Sequence, residues 1–360
     1  MKKKHSNPKS ALHISKGTTP PPAINKQFKR KKRPQRSIEE WTDALLKGDR
    51  VALSQAITLV ESRQAKHQAL AQELIERCLP HSGKSLRIGL TGTPGVGKSS
   101  FIDSFGQLLV AEQRQVAVLA IDPSSQVTKG SILGDKTRME TLSNHPNVFV
   151  RPSAAGSSLG GVAQKTRESI ILCEAAGFDT ILVETVGVGQ SETAVHSMVD
   201  FFLLLLLPNA GDELQGIKRG VMEMADLIAI NKADGDALPA AKLAKRQCRN
   251  GLHLFPPKSS GWIATAELCS ALEKTGLDTI WEHILSYQRH STINGYWEKN
   301  RQAQAAYWLE ESLGRQLQQL FYSHAAIKSQ YEQLQQQVLA SSISPFQASR
   351  ILIDAFKKAL

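Results

Sequence analysis

Residues 87–105, RIGLTGTPGVGKSSFIDSF, constrain this chain more than any other stretch. A short apolar run enters a glycine-rich turn and leaves it as an amphipathic run. Gly92-Thr93-Pro94-Gly95-Val96-Gly97-Lys98-Ser99, followed by Ser100, matches G-x-x-x-x-G-K-[ST] at each fixed position. A strand before it and a helix after it are the context in which that pattern has meaning. Glycines let the backbone wrap an anion with its N–H groups turned inward. The start of the following helix adds its positive end. Lys98 can reach β- and γ-phosphates, and the Ser99 hydroxyl can ligate Mg²⁺. The stretch therefore predicts a cradle for the phosphates of a nucleotide.

The surrounding chain alternates strand-like and helix-like segments over residues 86–290. Strands are expected at Leu86–Thr91, Gln115–Ile121, Val148–Arg151, Thr180–Thr185, Phe201–Leu207, Leu227–Asn231 and Gly251–Phe255. Such alternation with apolar strands predicts an α/β fold of the P-loop NTPase type, a mostly parallel sheet flanked by helices. The run FFLLLLL, Phe201–Leu207, is far too short to span a bilayer and suits a fully buried strand. Upstream, Leu45, Leu46, Leu53, Ile57 and Val60 recur at helical spacing and predict two or three helices. Downstream of Ser291 the chain turns Gln-rich and helical, with segments at Trp308–Ser323 and Ile327–Ala340. A last helix is capped by Ser344 with Pro345 at its first position. The expected organisation is a basic tail (1–37), an N-terminal helical segment (38–84), a nucleotide domain (85–290) and a C-terminal helical arm (291–360).

The net charge of +11 belongs to the tail. Of the 44 Lys and Arg residues, 12 lie within residues 1–36, which hold no Asp or Glu, leaving 32 basic against 33 acidic side chains. The body is thus near neutral and offers no global basic footprint for nucleic acid. The tail, rich in Pro, Ser and Gln, has the composition of a disordered segment. It reads as a solubilising tail or an electrostatic handle, with a weaker match to a transit peptide. Cys78, Cys173, Cys248 and Cys269 form no C-x-x-C pair and read as single buried thiols in a reducing compartment, which points to the cytoplasm.

Further along, AINKAD contains Asn231-Lys232-Ala233-Asp234 at the end of an expected strand. The Asp234 carboxylate can accept from the N1–H and the 2-amino group of guanine, a donor pair that adenine lacks. The Lys232 stem can lie along the base. Downstream of a phosphate loop, this spacing favours GTP and GDP over adenine nucleotides. Ser270-Ala271-Leu272 is a candidate backbone contact to the base. Glu184, in ILVETVGVGQSE, ends a buried strand three residues before Gly187, where a carboxylate beside Mg²⁺ and a glycine sensing the γ-phosphate belong. Asp122 ends the second strand and can face the metal or the attacking water. Asp135 lies in a loop farther on.

These segments resemble the MeaB/ArgK family of P-loop GTPases, the GTPases associated with methylmalonyl-CoA mutase. The likeness is carried by GTPGVGKSS (92–100), DPSS (122–125), GSILGDKTRM (130–139), RPSAAGSSLGGVA (151–163), ETVGVGQSE (184–192), PNAGDELQGIKRG (208–220) and NKAD (231–234). It implies that Gly92–Ser100, Asp234 and Ser270–Leu272 bind GTP. It also implies that Ser99, Asp122, Asp135 and Glu184 surround Mg²⁺. Asp122–Met139, Glu184–Glu192 and Gly211–Gly220 correspond to three switch segments. The resemblance further implies a homodimer formed through the helical arm. As partner it implies a B12-dependent acyl-CoA mutase, whose adenosylcobalamin loading is gated and protected. The setting is cytoplasmic, or the mitochondrial matrix in a eukaryote; neither membrane nor nucleic acid is expected as partner. The Ser124–Gly130 loop departs from the Thr-Arg-Thr-Gly pattern of the family.

Other readings remain. A P-loop kinase or ATPase would share the phosphate loop, and fits the older label of amino-acid transport kinase. A metal-delivery GTPase would want tandem Cys or His ligands, which the scattered histidines and cysteines do not supply. A binding-only module would hold nucleotide without turnover. No Ser-His-Asp arrangement is evident, and a lone histidine such as His196 reads as structural.

Overall fold

The computed structural model describes residues 36–62, 64–121, 139–152, 159–185, 191–208 and 219–359. Three helices open the described chain: α1 (Ile38–Leu46), α2 (Arg50–Glu61) and α3 (Ala65–Cys78). Asp49 caps α2, its Oδ1 accepting from the N–H groups of Val51 at 2.8 Å and Ala52 at 3.1 Å. The alternating region follows: β1 (Leu86–Gly92), α4 (Lys98–Ala111), β2 (Val116–Ile121), α5 (Glu140–Ser143), β3 (Val148–Arg151), α6 (Leu159–Ala175), β4 (Thr180–Thr185), α7 (Ser191–His196), β5 (Phe201–Leu206), α8 (Arg219–Met224), β6 (Leu227–Ile230), α9 (Leu238–Leu252) and β7 (Thr265–Leu268). Helices α10 (Leu277–Ile293), α11 (Tyr296–Ser323), α12 (Ala325–Leu339) and α13 (Pro345–Ala359) complete it. Ser344 Oγ accepts from the Gln347 N–H at 3.2 Å, the cap that the Ser-Pro pair predicts.

The sheet is parallel throughout, in the order β3-β2-β4-β1-β5-β6-β7. Strand β1 sits at its centre, between β4 and β5. Alternation sorts the strands onto two faces. Val116 and Val118 join Phe101, Phe105 and Trp281 on the side of α4 and α10. Ala117, Leu119 and Ile121 join Leu53, Ile57 and Leu74 on the side of α2, α3 and α6. The N-terminal helices are therefore part of the cover over one face. Strand β5 is buried at every position, as its unbroken apolar run predicts.

One expected strand is corrected. Residues 251–255 end α9 and turn, and Leu254 is 77% exposed. The seventh strand is Thr265–Leu268, paired in parallel with β6. This edge strand is only half-buried, and its Glu267 is held by Lys245 at 2.6 Å and Arg249 at 2.7 Å from α9. A four-residue edge strand carrying a charge has no apolar signature of its own. The helix expected from Trp308 also begins earlier, at Tyr296.

At the amino ends of the strands, charge is buried and paired. Glu174 of α6 accepts from the Gly83 N–H at 2.7 Å, Ser85 Oγ at 2.5 Å and the Arg87 guanidinium at 2.9 and 3.1 Å. Asp200, just before β5, accepts from the Arg87 N–H at 2.9 Å and from Arg301 at 2.8 and 2.7 Å. Arg301 also donates to the Gly83 and Ser85 carbonyls and lies over the Trp297 ring. Helix α11 is thereby pinned to the sheet.

Two outcomes follow. Arg301→Ala leaves Asp200 buried without its cation and should lower stability by about 3–5 kcal/mol, read by urea unfolding. All four thiols are buried, and burial pushes Cys78 and Cys248 up to about 11 and Cys269 up to about 12, with Cys173 raised further. At neutral pH a maleimide should label the native cysteines at least about a hundredfold more slowly than those of the unfolded chain.

Candidate functional site

In a parallel sheet all carboxyl ends share one edge, and here that edge carries the predicted site residues that the structure describes. The glycine-rich loop leaves β1 and enters α4 at Lys98. Gly92 has φ 154°, and a Cβ there would stand 2.6 Å from the Leu205 carbonyl oxygen of β5, so only glycine lets the two strands lie this close. Gly97 has φ 93°, and a Cβ would meet the Asn231 amide at 3.0 Å. Lys98, 9% exposed, donates to the carbonyls of Gly92 at 2.7 Å and Thr93 at 3.4 Å. Burial pushes its ammonium below the ordinary lysine range, while Glu184 and Glu192 pull it upward.

The base-side residues converge on the same loop. Asn231 Nδ2 donates to the Val96 carbonyl at 2.8 Å, and its Oδ1 accepts from the Ala271 N–H at 3.1 Å. Lys232, at φ 58°, donates to the Gly95 carbonyl at 2.9 Å, which lays its stem across the loop. Ser270 Oγ donates to Asp234 Oδ2. The Ala271 carbonyl accepts from Ser104 Oγ of α4 at 2.6 Å. Ala271 is thus tied into the fold through both its N–H and its carbonyl, while Leu272 is 85% exposed. Asn231 is 1% exposed and acts as a strut between the phosphate loop and the base loop.

Glu184, the last residue but one of β4, faces Leu90 of β1 across the ladder and is 6% exposed. Ser99 is half-buried at the first turn of α4, and its hydroxyl makes no hydrogen bond among the described residues. Thr93 Oγ1 in the same loop is buried without a partner. A hydroxyl and a carboxylate on one edge form an oxygen-only donor set that suits a hard cation such as Mg²⁺. Asp122, Asp135, Gly187 and most of the three switch segments lie outside the described residues. Sequence reading missed two contributors. Ser104, a helix residue with no motif, braces the base loop. Glu192, named only as the end of a switch segment, is 3% exposed and acts on Lys98. A buried acid in a short polar string is the signal that could have flagged it.

A phosphate loop on the central strand, joined to a guanine-type base loop, defines a P-loop nucleotide-binding protein. The chain belongs to the family of methylmalonyl-CoA mutase-associated GTPases MeaB, whose model matches residues 53–326. It is a GTP-hydrolysing enzyme of that family. It is 48% identical to a putative GTPase of Caulobacter vibrioides, over 90% of this chain and 99% of that protein. It is 45% identical to the GTPase ArgK of Escherichia coli, over 86% and 93% of the two chains. The mouse mitochondrial methylmalonic aciduria type A homolog is 42% identical, over 90% and 80%. Among solved structures, a LAO/AO transport system kinase aligns with a TM-score of 0.70 at 38% identity, covering 89% of this chain and 97% of that one.

Lys98→Ala should weaken GTP binding by about a hundredfold or more, as loss of a charged phosphate partner does, with an unchanged melting temperature. Isothermal titration with calorimetric melting reads both. Asp234→Asn should weaken GTP about tenfold or more and turn preference toward xanthosine nucleotides, because the amide offers an N–H where guanine needs an acceptor. Competition between GTP and XTP measures that reversal.

Proposed function

We propose that this chain is a G-protein metallochaperone that gates adenosylcobalamin loading and protects a B12-dependent acyl-CoA mutase, with methylmalonyl-CoA mutase as the client. The observation that carries the reading is the joining of phosphate loop to base loop through Asn231, in a chain of the mutase-associated family. Gly92–Ser100 would hold the phosphates, Asp234 the guanine edge, and Ser270–Leu272 the far side of the base. Ser99 and Glu184, with Asp122 and Asp135, would hold Mg²⁺, which when bound neutralises developing charge on the phosphates. Lys98 places a cation on the β- and γ-phosphates, and Glu184 orients what lies across from it.

Residues 122–139, 184–192 and 211–220 are the segments proposed to read the γ-phosphate. Two of them run into the first residues of α7 and α8, so an ordered loop would set where those helices begin. A switch of this kind hydrolyses slowly alone and awaits its partner. The client is proposed to supply that stimulation through residues 211–218. Hydrolysis would then release the switch segments and commit the loaded mutase.

The arm, residues 291–360, is proposed as the homodimer surface. Leu309, Leu313, Leu317 and Leu320 are each at least half exposed along α11 at helical spacing. Helices α11, α12 and α13 enclose an apolar groove of about 700 Å³ that includes Phe321 and Leu352. Among the described residues no helix is long and apolar enough to cross a membrane. A cytoplasmic setting, or the mitochondrial matrix in a eukaryote, is the proposed location.

The test is GTP hydrolysis measured alone and with a purified adenosylcobalamin-dependent methylmalonyl-CoA mutase. Stimulation of at least about tenfold, absent in Lys98→Ala, is expected for a partner-activated switch. An unchanged rate with GTP still tightly bound would redirect the client to another acyl-CoA mutase. For the arm, Leu313→Asp with Leu317→Asp should halve the mass seen by light scattering; an unaltered mass would remove α11 from the interface.

A further inference from the structure

A large cavity bordered by the described residues is at the far end of the sheet from the phosphate loop. It measures about 840 Å³ and lies between the end of α7, helix α8, the 252–264 loop, the second half of α10 and the start of α11. That volume lies within the range of small-molecule sites. Its lining is mixed: Phe202, Phe255, Trp262, Tyr287 and Tyr296 supply aromatic surface, and Glu223, His253 and Asn300 stand among the polar residues. The rings are fixed: Tyr287 meets Phe201 at 5.1 Å and Trp262 at 5.4 Å, both nearly edge-on. Trp262 is held in turn by its indole N–H, which donates to the Asp226 carbonyl at 3.0 Å.

The charged side chains of the floor are already satisfied. Asp226 takes Lys258 Nζ at 2.6 Å on one oxygen and the Phe202 N–H at 2.9 Å on the other. Lys258 also donates to the Met224 carbonyl at 2.9 Å. Asp200 is closed by Arg301 and the Arg87 N–H. Tyr287 is different. It is 3% exposed, lines the cavity, and its hydroxyl makes no hydrogen bond among the described residues. Burial and the nearby carboxylates push its phenol well above the ordinary range, so it remains a donor. A hydroxyl that opens into a cavity and has no acceptor among the described residues is free to donate to a molecule held there.

We infer that this cavity is a ligand site for a neutral, planar aromatic molecule carrying one hydrogen-bond acceptor, which takes the Tyr287 hydroxyl and lies against Trp262. Asp200 and Asp226 beneath are paired with Arg301 and Lys258, so the floor offers a free partner to neither an anion nor a cation. The site is remote from the nucleotide edge and does not depend on which client the protein serves.

The probe is benzamide, titrated into the full-length protein and read at the Trp262 indole N–H signal, assigned with Trp262→Phe. A saturable shift is expected. Tyr287→Phe, which deletes an unbonded hydroxyl, should weaken benzamide at least about fivefold while GTP affinity stays unchanged. Benzoate, the same shape with a negative charge, should bind at least about fivefold more weakly than benzamide. A shift that never saturates, an affinity indifferent to Tyr287→Phe, or benzoate binding as well as benzamide would each overturn the inference. Should Tyr287→Phe fail to fold by circular dichroism, Ile263→Asp on the exposed rim replaces it. Ile263 is 77% exposed, and a charge there should weaken benzamide; unchanged affinity would overturn the site.

Discussion

One buried amide holds the nucleotide edge together. Asn231 leaves the end of β6 and spends its side chain on two other segments, the phosphate loop at Val96 and the base loop at Ala271. Cys269 Sγ also approaches its Oδ1, at 3.7 Å. Both ends of the amide are satisfied inside the protein, so the geometry is stiff: any shift of one loop would strand a buried donor or acceptor. The closeness of Gly97 to this amide explains why the loop tolerates no side chain there. The distance between the glycine-rich loop and the 270–272 loop is consequently set by the fold itself, which is how a site binds without a cost of organising itself.

The opposite edge is held by charge. Arg87 is shared between Glu174 on one side and, through its backbone, Asp200 on the other, and Arg301 closes the circuit from α11. Gln304 and Trp308 extend the seam, donating to the Val199 carbonyl at 2.7 Å and the Ser197 carbonyl at 3.1 Å. The amino-terminal half of α11 is thus fastened to the residues between α7 and β5. Farther along, the same helix presents leucines to solvent. A helix rigid at its base and apolar at its far half suits transmission of a change at α7 to whatever covers those leucines.

The parallel sheet explains why these two edges do different work. Every strand ends on the same side, so the loops after β1, β6 and β7, with Glu184 of β4, bring the candidate groups to one edge without crossing the core. Every strand begins on the other side, where backbone groups are met by Glu174, Asp200 and Asp226. Arg315 of α11 donates to the Gly160 carbonyl at the start of α6, so the arm also reaches toward the nucleotide side.

Much of this was legible in the sequence, and unevenly so. The phosphate loop, β5 and the Ser344 cap depend on local requirements: glycine at positive φ, an unbroken apolar run, a hydroxyl one position ahead of proline. Such requirements are written into adjacent residues. Strand β7 was not legible, because four residues with a glutamate in them become a strand only when β6 offers its edge and α9 neutralises the charge. Nor was the bracing by Asn231 legible, although its N-K-x-D motif was. Its strut role depends on Val96 and Ala271, respectively 135 and 40 residues away along the chain. By itself, then, the sequence determined the class of fold and the family, because the motifs that carry both follow from short-range backbone and side-chain chemistry. Only the tertiary structure decided which side chains brace the loops at the carboxyl edge, where the C-terminal helices are anchored and that a cavity lies beside α7 and α8. Burial and long-range pairing, not local spacing, select those contacts.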